Sequence, residues 1–343
     1  MTVFFHIGST KTGTTSLQRF LAVNRQILRK QGYRFPQFLG RENHTKLAVY
    51  AHDLRQHEAA LRLGVNSPDS LAAFRETLEA DLHTRLRGET DHVVLSSEHC
   101  SAILNSPHEI ARLKSLLTRI GSDIKIIFYA RQQAEFLVSQ YSTNVVKGFT
   151  QRLQYPGQDN LIRNFNYFAL LSRWEDVFGK DAIIGRIFDP KKMVNGDVIH
   201  DFCDVIGIRR AFLRRAEIPE RLNESLDYET AEFLRKFNAL VPSRADNAIN
   251  PDRSNIGDIV RHLSTKEKIA LPPSFAERLR KDLYESNCLF RERFVDGIKE
   301  DPFDWSERGT RKPLQDLTID DAYRIFAEIW KLKVQQTIKT RHR

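Results

Sequence analysis

The chain has 343 residues, with a hydrophobic content of 41% and a charged content of 28%. This is the composition of a globular protein with one large or two ordinary domains, and it excludes a disordered or fibrous chain. The formal net charge of +9 favours anionic partners, so a nucleotide, an acidic glycan, nucleic acid and an anionic membrane all stay open on charge alone.

The cysteines and the apolar runs indicate the compartment. Cys100, Cys203 and Cys288 are far apart and odd in number, so no disulfide framework is expected and a reducing compartment is favoured. No apolar run approaches the roughly 18 residues that a membrane-spanning helix needs. A strand-like segment begins directly after Met1, which leaves no room for a signal peptide. The sequence therefore predicts a cytoplasmic protein.

The first twenty residues carry the strongest local pattern. The apolar run from Val3 to Ile7 predicts a buried strand, residues 8–15 form a polar turn rich in threonine, and residues 16–30 predict a helix. A strand, a glycine-containing turn and a helix together make a phosphate cradle. The reason is that the turn amides point inward and the helix N-terminus carries about half a positive charge.

The position of the lysine separates this turn from the common nucleotide-binding loop. Gly8 and Gly13 have the spacing of the G-x-x-x-x-G-K-[ST] pattern, but Thr14 stands where the lysine should be. The lysine of the turn is Lys11, before the second glycine. The turn therefore fits a nucleoside triphosphatase poorly, and it fits a donor whose anionic group lies lower in the loop. An ordinary strand-to-helix turn is the alternative.

The next candidate residues follow a polar loop and a second strand. His44 precedes a predicted helix over 45–56, and we expect it either to line a substrate pocket or to be solvated. A capped helix over 67–86 comes next, and residues 93–95 predict a strand that ends just before Glu98 and His99. Ligands of open α/β sheets bind outside the carboxyl ends of strands. Glu98 is therefore the preferred general base, His99 the second choice, and a helix cap or ion pair the structural alternative for Glu98.

A second strand-end pattern comes later. After a helix over 107–120, residues 124–130 predict the most strongly apolar strand, Arg131 follows at once, and Ser139 lies on a predicted helix over 132–146. Arginine offers a forked, permanently charged pair of donors and serine adds a hydroxyl, which suits a phosphate. A strand-end arginine at the surface is the alternative.

Both patterns resemble one family. Residues 6–18, HIGSTKTGTTSLQ, resemble the 5′-phosphosulfate-binding loop of sulfotransferases, most narrowly bacterial members related to the carbohydrate sulfotransferases. Residues 131–141, RQQAEFLVSQY, resemble that family's 3′-phosphate-binding segment. The resemblance implies an α/β, three-layer, P-loop-like fold with a central, mostly parallel sheet flanked by helices and a helical C-terminal extension.

The resemblance also implies an activity. The chain would move a sulfuryl group from 3′-phosphoadenosine 5′-phosphosulfate (PAPS), its co-substrate, to a hydroxyl of a glycan or glycolipid by in-line displacement, without a metal and without nucleic acid as a partner. Lys11, Glu98 and His99 are the candidate catalytic residues, and His44 is the candidate acceptor-binding residue. The residues assigned to PAPS are Ser9, Thr10, Lys11, Thr12, Gly13, Thr14, Thr15, Arg131 and Ser139.

The rest of the chain supports a division at residue 220. Residues 1–220 are predicted to form the PAPS-binding core, ending with a helix over 165–178, a strand over 182–188 and a helix over 194–206. Residues 221–343 are predicted to be mainly helical and packed on the core. Packing, homodimerisation and a peripheral membrane contact stay open for the last helix, over 320–337.

The sequence departs from the family in one segment, and two rival functions stay open. The C-terminal R-K-G-x-x-G-x-W-K segment of cytosolic sulfotransferases does not occur in this sequence. The adenine contacts and any third phosphate ligand are therefore open, with Arg253 and Asn255 as candidates. The rivals are a P-loop-type nucleotide kinase, which would need magnesium and ATP, and a non-catalytic binder of acidic polymers.

Overall fold

The computed structural model describes residues 1–53, 57–219, 225–245, 248–264, 267–298, 301–306 and 311–341. Its strands are β1 (Thr2–His6), β2 (Tyr33–Arg34), β3 (His92–Ser96), β4 (Asp123–Ala130), β5 (Ile183–Ile187), β6 (Arg244–Ala245), β7 (Ala248–Ile249), β8 (Lys268–Ile269) and β9 (Arg311–Lys312).

Helices make up most of the remaining regular structure. They are α1 (Thr14–Val23), α2 (Arg25–Arg29), α3 (Thr45–Ala51), α4 (Glu58–Arg62), α5 (Pro68–Leu86), α6 (Glu98–Ile103), α7 (Pro107–Leu117), α8 (Gln133–Val146), α9 (Gln158–Asn160), α10 (Tyr167–Phe178), α11 (Val198–Val205), α12 (Arg210–Leu213), α13 (Tyr228–Leu240), α14 (Ile256–Leu263), α15 (Pro273–Phe294) and α16 (Ile319–Arg341). Short 3₁₀ turns lie at Gln37–Leu39, Lys180–Ala182, Val194–Gly196 and Pro251–Arg253, and a π-helical turn lies at Leu161–Phe165.

The main sheet is entirely parallel within the part of the chain that the structure describes. Its five strands run in the order β2-β3-β1-β4-β5, so β1 lies at the centre between β3 and β4. This confirms the predicted α/β class with a central parallel sheet. The connections from β1 and β4 run in opposite directions across the sheet, which makes their carboxyl ends a topological switch point.

Helices cover both faces of the sheet. Successive residues of β1 point to opposite faces, so each contacts a different helix. On one face the His6 ring packs edge-on against Phe202 of α11, with ring centroids 5.8 Å apart. On the other face Phe5 meets Trp174 of α10 at 6.4 Å. All four side chains are fully buried. The α/β layers are therefore held by aromatic contacts on each side of the central strand.

The described residues group into two compact units that interleave along the chain. The first unit comprises residues 1–131, 157–220 and 283–304 and holds the main sheet, and the second comprises 132–156, 221–282 and 305–343. A single division at residue 220 remains a prediction, as does the packing of a C-terminal part on a core. In the second unit, Asn238 of α13 donates hydrogen bonds from Nδ2 to the carbonyls of Val145 (2.7 Å) and Phe149 (2.9 Å), which holds α13 against the end of α8.

Predicted element positions were mostly confirmed, and the first helix is the main error. The predicted helix over 16–30 is two helices, α1 and α2, separated at Asn24. The Asn24 amide bonds the Glu217 backbone in both directions: Nδ2 donates to Glu217 O at 2.8 Å and Oδ1 accepts from Glu217 N at 2.9 Å. These hydrogen bonds between the Asn24 side chain and the backbone end α1 at this residue.

One further boundary differs. The helix predicted over 45–56 ends at Ala51, and residues 54–56 lie outside the described ranges. The connection between α8 and α10 contains α9, and the connection between α13 and α14 contains the β6–β7 pair. None of the described helices is long and apolar enough to cross a membrane.

Candidate functional site

Three chain segments leave the carboxyl ends of adjacent strands at one edge of the main sheet. The parallel register pairs Phe5 of β1 with Leu95 of β3 and with Ile126 of β4. The loop of residues 7–13, which we call the β1 loop, follows β1, whereas Glu98 follows β3 and Arg131 follows β4. The parallel sheet therefore brings these predicted site segments to the same edge.

Three residues of the β1 loop have a positive backbone φ, in the left-handed region. Gly8 has φ 65°, Gly13 has φ 72° and Lys11 has φ 67°. For lysine this conformation costs roughly 1–2 kcal/mol, so the loop holds strain at the residue that the sequence predicts to be catalytic. The hydroxyl of Thr12, a buried side chain, donates to the Ser9 carbonyl at 2.6 Å and closes the turn.

Steric contacts also favour glycine at both positions, because a Cβ would lie too close to a neighbouring side chain. A Cβ on Gly8 would lie 2.6 Å from Glu98 Cβ, so the β1 loop and the start of α6 are in direct contact. A Cβ on Gly13 would lie 2.9 Å from Val198 Cγ1, so α1 begins tightly against α11. Any larger residue at either position would force the loop and a helix apart.

The start of α1 presents polar groups without negative charge. The first backbone bond of the helix runs from Leu17 N to Gly13 O at 3.0 Å, which leaves the amides of Thr14, Thr15 and Ser16 without an intrahelical acceptor. The first turn contains no acidic residue. Thr15 is exposed, whereas the Thr14 side chain is buried and Thr10 is half-buried. The amides and the helix dipole favour an anion at this helix end.

Arg131 joins the two predicted motifs. Its Nη1 donates to the Lys11 carbonyl at 2.8 Å, and its guanidinium lies 5.7 Å from the centroid of the Phe188 ring. Its own carbonyl accepts a hydrogen bond of 2.7 Å from the hydroxyl of Tyr167, and burial raises the pKa of that hydroxyl. Arg131 therefore holds a permanent charge beside the strained part of the β1 loop.

Ser139 and the proposed extra phosphate ligands belong to the second unit. Ser139 is 5% exposed, and its hydroxyl lies 3.4 Å from that of Ser225, which donates to it. Arg253 is buried, and its Nη2 donates to Val146 O at 2.7 Å, beside the carboxyl end of α8. Asn255 accepts from Lys333 Nζ at 3.2 Å. A shared phosphate site of Arg131 with Ser139, and the roles of Arg253 and Asn255, remain predictions.

Glu98 is the first residue of α6 and is half-buried, with Ser97 in the cap position before it. Its Oε2 accepts two hydrogen bonds, from Gln18 Nε2 at 2.6 Å and from Asn43 Nδ2 at 2.7 Å. Among the described residues it forms no ion pair. The carboxylate is thus held by neutral amide donors rather than neutralised by a cation.

His44 and His99, the two histidines that the sequence singled out, differ in burial. That residue is fully buried, its Nδ1 accepts from Ser96 N at 3.2 Å, and its ring centroid lies 4.4 Å from that of Phe35. In this conformation its imidazole faces the interior, so an acceptor contact remains a prediction. His99 is half-buried, with its ring centroid 6.1 Å from that of His57.

Gln18 and Asn43 are the polar contacts that the sequence analysis did not single out. Gln18 lies 80 positions and Asn43 lies 55 positions from Glu98 along the chain. The one local signal was a glutamine on the side of α1 that carries Leu17 and Leu21, where an apolar residue is expected. Within the described residues, no group of three or more histidine, cysteine or acidic side chains could hold a metal ion.

No protein-family model matches the chain. An uncharacterized protein of Archaeoglobus fulgidus is 31% identical over 208 residues, which are 59% of this chain and 54% of that protein. The match therefore spans about half the length of that relative.

One solved structure, a sulfotransferase from Alicyclobacillus acidocaldarius, aligns with 85% of this chain and 95% of that chain, with 14% identity and a TM-score of 0.42. A TM-score this low carries no argument about the fold or function of this chain.

The buried histidines beneath the site predict acid sensitivity. Burial lowers the pKa values of His6 and His44 from 6.5 to about 3. The unfolded chain therefore binds protons below pH 6.5 that the folded chain does not, so stability is full above that pH and falls as the pH drops toward 3. Each histidine should cost up to about 1.4 kcal/mol of unfolding free energy per pH unit in that window.

Urea unfolding at about pH 7 and pH 5 measures this loss. His44→Gln should reduce the pH dependence relative to the unsubstituted protein, whereas His83→Gln, at an exposed histidine on α5, should leave it unchanged. An identical slope in His44→Gln and the unsubstituted protein would show that His44 is not held neutral by the fold.

Proposed function

We propose that this protein is a sulfotransferase that moves the sulfuryl group of PAPS to a hydroxyl acceptor, a glycan or glycolipid. The observation that carries the proposal is the β1 loop itself. Lys11 lies before the second glycine, its carbonyl is bound by Arg131, and the first glycine of the loop touches Glu98. A lysine, an arginine and a carboxylate thus meet around one phosphate-type loop.

The β1 loop and the start of α1 suit the 5′-phosphosulfate end of the donor. The amides of Thr14 and Thr15 have no intrahelical acceptor, and the helix dipole adds positive potential. The hydroxyls of Ser9 and Thr10 and the amides of Thr12 and Gly13 complete the proposed set. The Thr12 hydroxyl donates within the loop and contributes to its shape.

The 3′-phosphate of the donor is assigned to Arg131 and Ser139. Arg131 carries a forked set of N–H donors, and its Nη1 donates to the Lys11 carbonyl. Ser139 contributes a hydroxyl from α8. A guanidinium that contacts both a bound phosphate and the β1 loop would link occupation of the 3′-phosphate position to the geometry of the loop.

The chemistry resembles phosphoryl transfer, with a loose, in-line transition state and charge building on the leaving oxygen. The acceptor oxygen forms a bond to sulfur while the bond from sulfur to the bridging oxygen of PAPS breaks. Lys11 stabilises the negative charge on that leaving oxygen, and Glu98 takes the proton of the acceptor hydroxyl. His99 is the alternative base, on the same helix.

Replacing Lys11 tests the leaving-group role. Lys11→Ala should lower kcat for transfer of radiolabelled sulfate from PAPS by about 100-fold or more, because one preorganised charge on the leaving oxygen is lost. Transfer would be measured on a panel of glycans, glycolipids and phenols. Lys125→Ala is the matched control, because Lys125 lies on β4 and donates to Asp181 O at 3.0 Å. Equal turnover in Lys11→Ala and Lys125→Ala would refute the role.

Replacing Glu98 tests the base. Glu98→Gln keeps the size of the side chain and removes the proton acceptor, so kcat should fall by about 100-fold or more. The dissociation constant of the desulfated product, PAP, should change by less than about twofold, because Glu98 is not assigned to the donor. Loss of activity in His99→Ala with full activity in Glu98→Gln would assign the base to His99 instead.

A further inference from the structure

We propose that Gln18 and Asn43 are positioning residues that anchor Glu98 through one carboxylate oxygen, Oε2, and so reserve Oε1 for the acceptor hydroxyl. The inference rests on the proposed function of Glu98 as the base. We call Gln18, Asn43 and Glu98 the amide clamp. Its three members come from α1, from the loop before α3 and from α6.

The two donors converge on the same atom. Gln18 Nε2 lies 2.6 Å and Asn43 Nδ2 lies 2.7 Å from Glu98 Oε2. Hydrogen bonds of this length to an ionised carboxylate are charge-assisted, and they are stronger than neutral ones. Primary amides have no readily lost proton, so they fix the carboxylate without becoming proton donors in the reaction.

The orientation of Asn43 is set by Glu98 and held by a neighbour. An ionised carboxylate only accepts hydrogen bonds, so the reversed amide would place two oxygens against each other at Glu98, which is repulsive. The amide nitrogen therefore faces Glu98. Thr45 Oγ1 donates to Asn43 Oδ1 at 3.0 Å and holds the other end of the amide.

The orientation of Gln18 is set by a buried chain of hydrogen bonds. Gln18 Nε2 also donates to Ser96 Oγ at 3.2 Å, and Ser96 Oγ lies 2.9 Å from His6 Nδ1. His6 is fully buried, and burial keeps it neutral by lowering its pKa to about 3. Ser96 Oγ accepts from Gln18, and the tautomer of His6 decides whether Ser96 donates to Nδ1 or accepts from it. Both Nε2 hydrogens of Gln18 are then committed, one to Ser96 and one to Glu98.

The other oxygen of the carboxylate is left for chemistry. Within the described part of the chain, Oε1 of Glu98 has no hydrogen-bond partner, and the side chain is half-buried. The acceptor O–H would therefore give its proton to Oε1 while its oxygen forms the bond to sulfur. The resulting carboxylic acid returns the proton to water after the products leave.

The test measures the rate and the donor affinity. In Asn43→Ala, kcat for sulfate transfer should fall by up to about 100-fold as the base loses its orientation, whereas PAP affinity should change by less than about twofold. Adding Asn43→Ala to Glu98→Gln should cause little further loss of kcat, because the amide acts through Glu98.

Two further variants sharpen the result. Asn164→Ala is the matched control, because Asn164 is also half-buried and donates a 2.7 Å bond to a side chain, Asn160 Oδ1; it should leave both readouts unchanged. Thr45→Val keeps Asn43 and removes its anchor, so it should give a smaller fall in kcat. Thr45→Val also serves as the test if Asn43→Ala does not fold.

The outcomes separate this inference from the proposed function. An unchanged kcat in Asn43→Ala and Thr45→Val, in a protein that transfers sulfate, would overturn the amide clamp alone. A folded, unsubstituted protein that transfers no sulfate from PAPS to any acceptor of the panel would overturn the proposed function and with it the catalytic role of the clamp.

Discussion

The parallel pairing of β1 with β3 on one side and with β4 on the other is the constraint on which the site depends. It forces the chain to leave three adjacent strands at one edge, where each exit carries different chemistry. The β1 loop supplies amides and a lysine, the end of β4 supplies a permanent positive charge, and the start of α6 supplies a carboxylate. An anionic donor and a hydroxyl acceptor need these three kinds of group close together.

Strain and its compensation are concentrated at Lys11. The left-handed backbone costs roughly 1–2 kcal/mol, and the hydrogen bond from Arg131 to the Lys11 carbonyl contributes in the opposite direction, by about 1.5–3 kcal/mol for a charged donor. The loop is thus held in its shape by the residue that is proposed to bind the other end of the donor. Beneath it, the amides of Gln18 and Asn43 hold Glu98, and Gln18 is bonded in turn to Ser96 beside the neutral, buried His6.

Local sequence patterns predicted most helices and strands. The features that were missed depend on contacts between residues far apart in the chain. Apolar runs located β1, β3 and β4, and the serine before Pro68 correctly marked the start of α5, where Ser67 accepts from Ser70 N. The break at Asn24 was missed because its partner, Glu217, is 193 residues away. Asn43 was missed for the same reason, since only the folded chain brings it to Glu98. For His44 the sequence indicated a polar loop, whereas the structure buries the ring against Phe35.

Calorimetric titration with PAP is the most direct measurement of the central claim, that the sheet edge formed by β3, β1 and β4 binds a nucleotide with phosphates at both the 3′ and 5′ positions. The account predicts saturable, one-to-one binding of PAP without magnesium, much weaker binding of AMP, which lacks the 3′-phosphate, and loss of PAP affinity in Arg131→Ala. Saturable binding of magnesium ATP by folded protein that gives no heat with PAP would contradict the account.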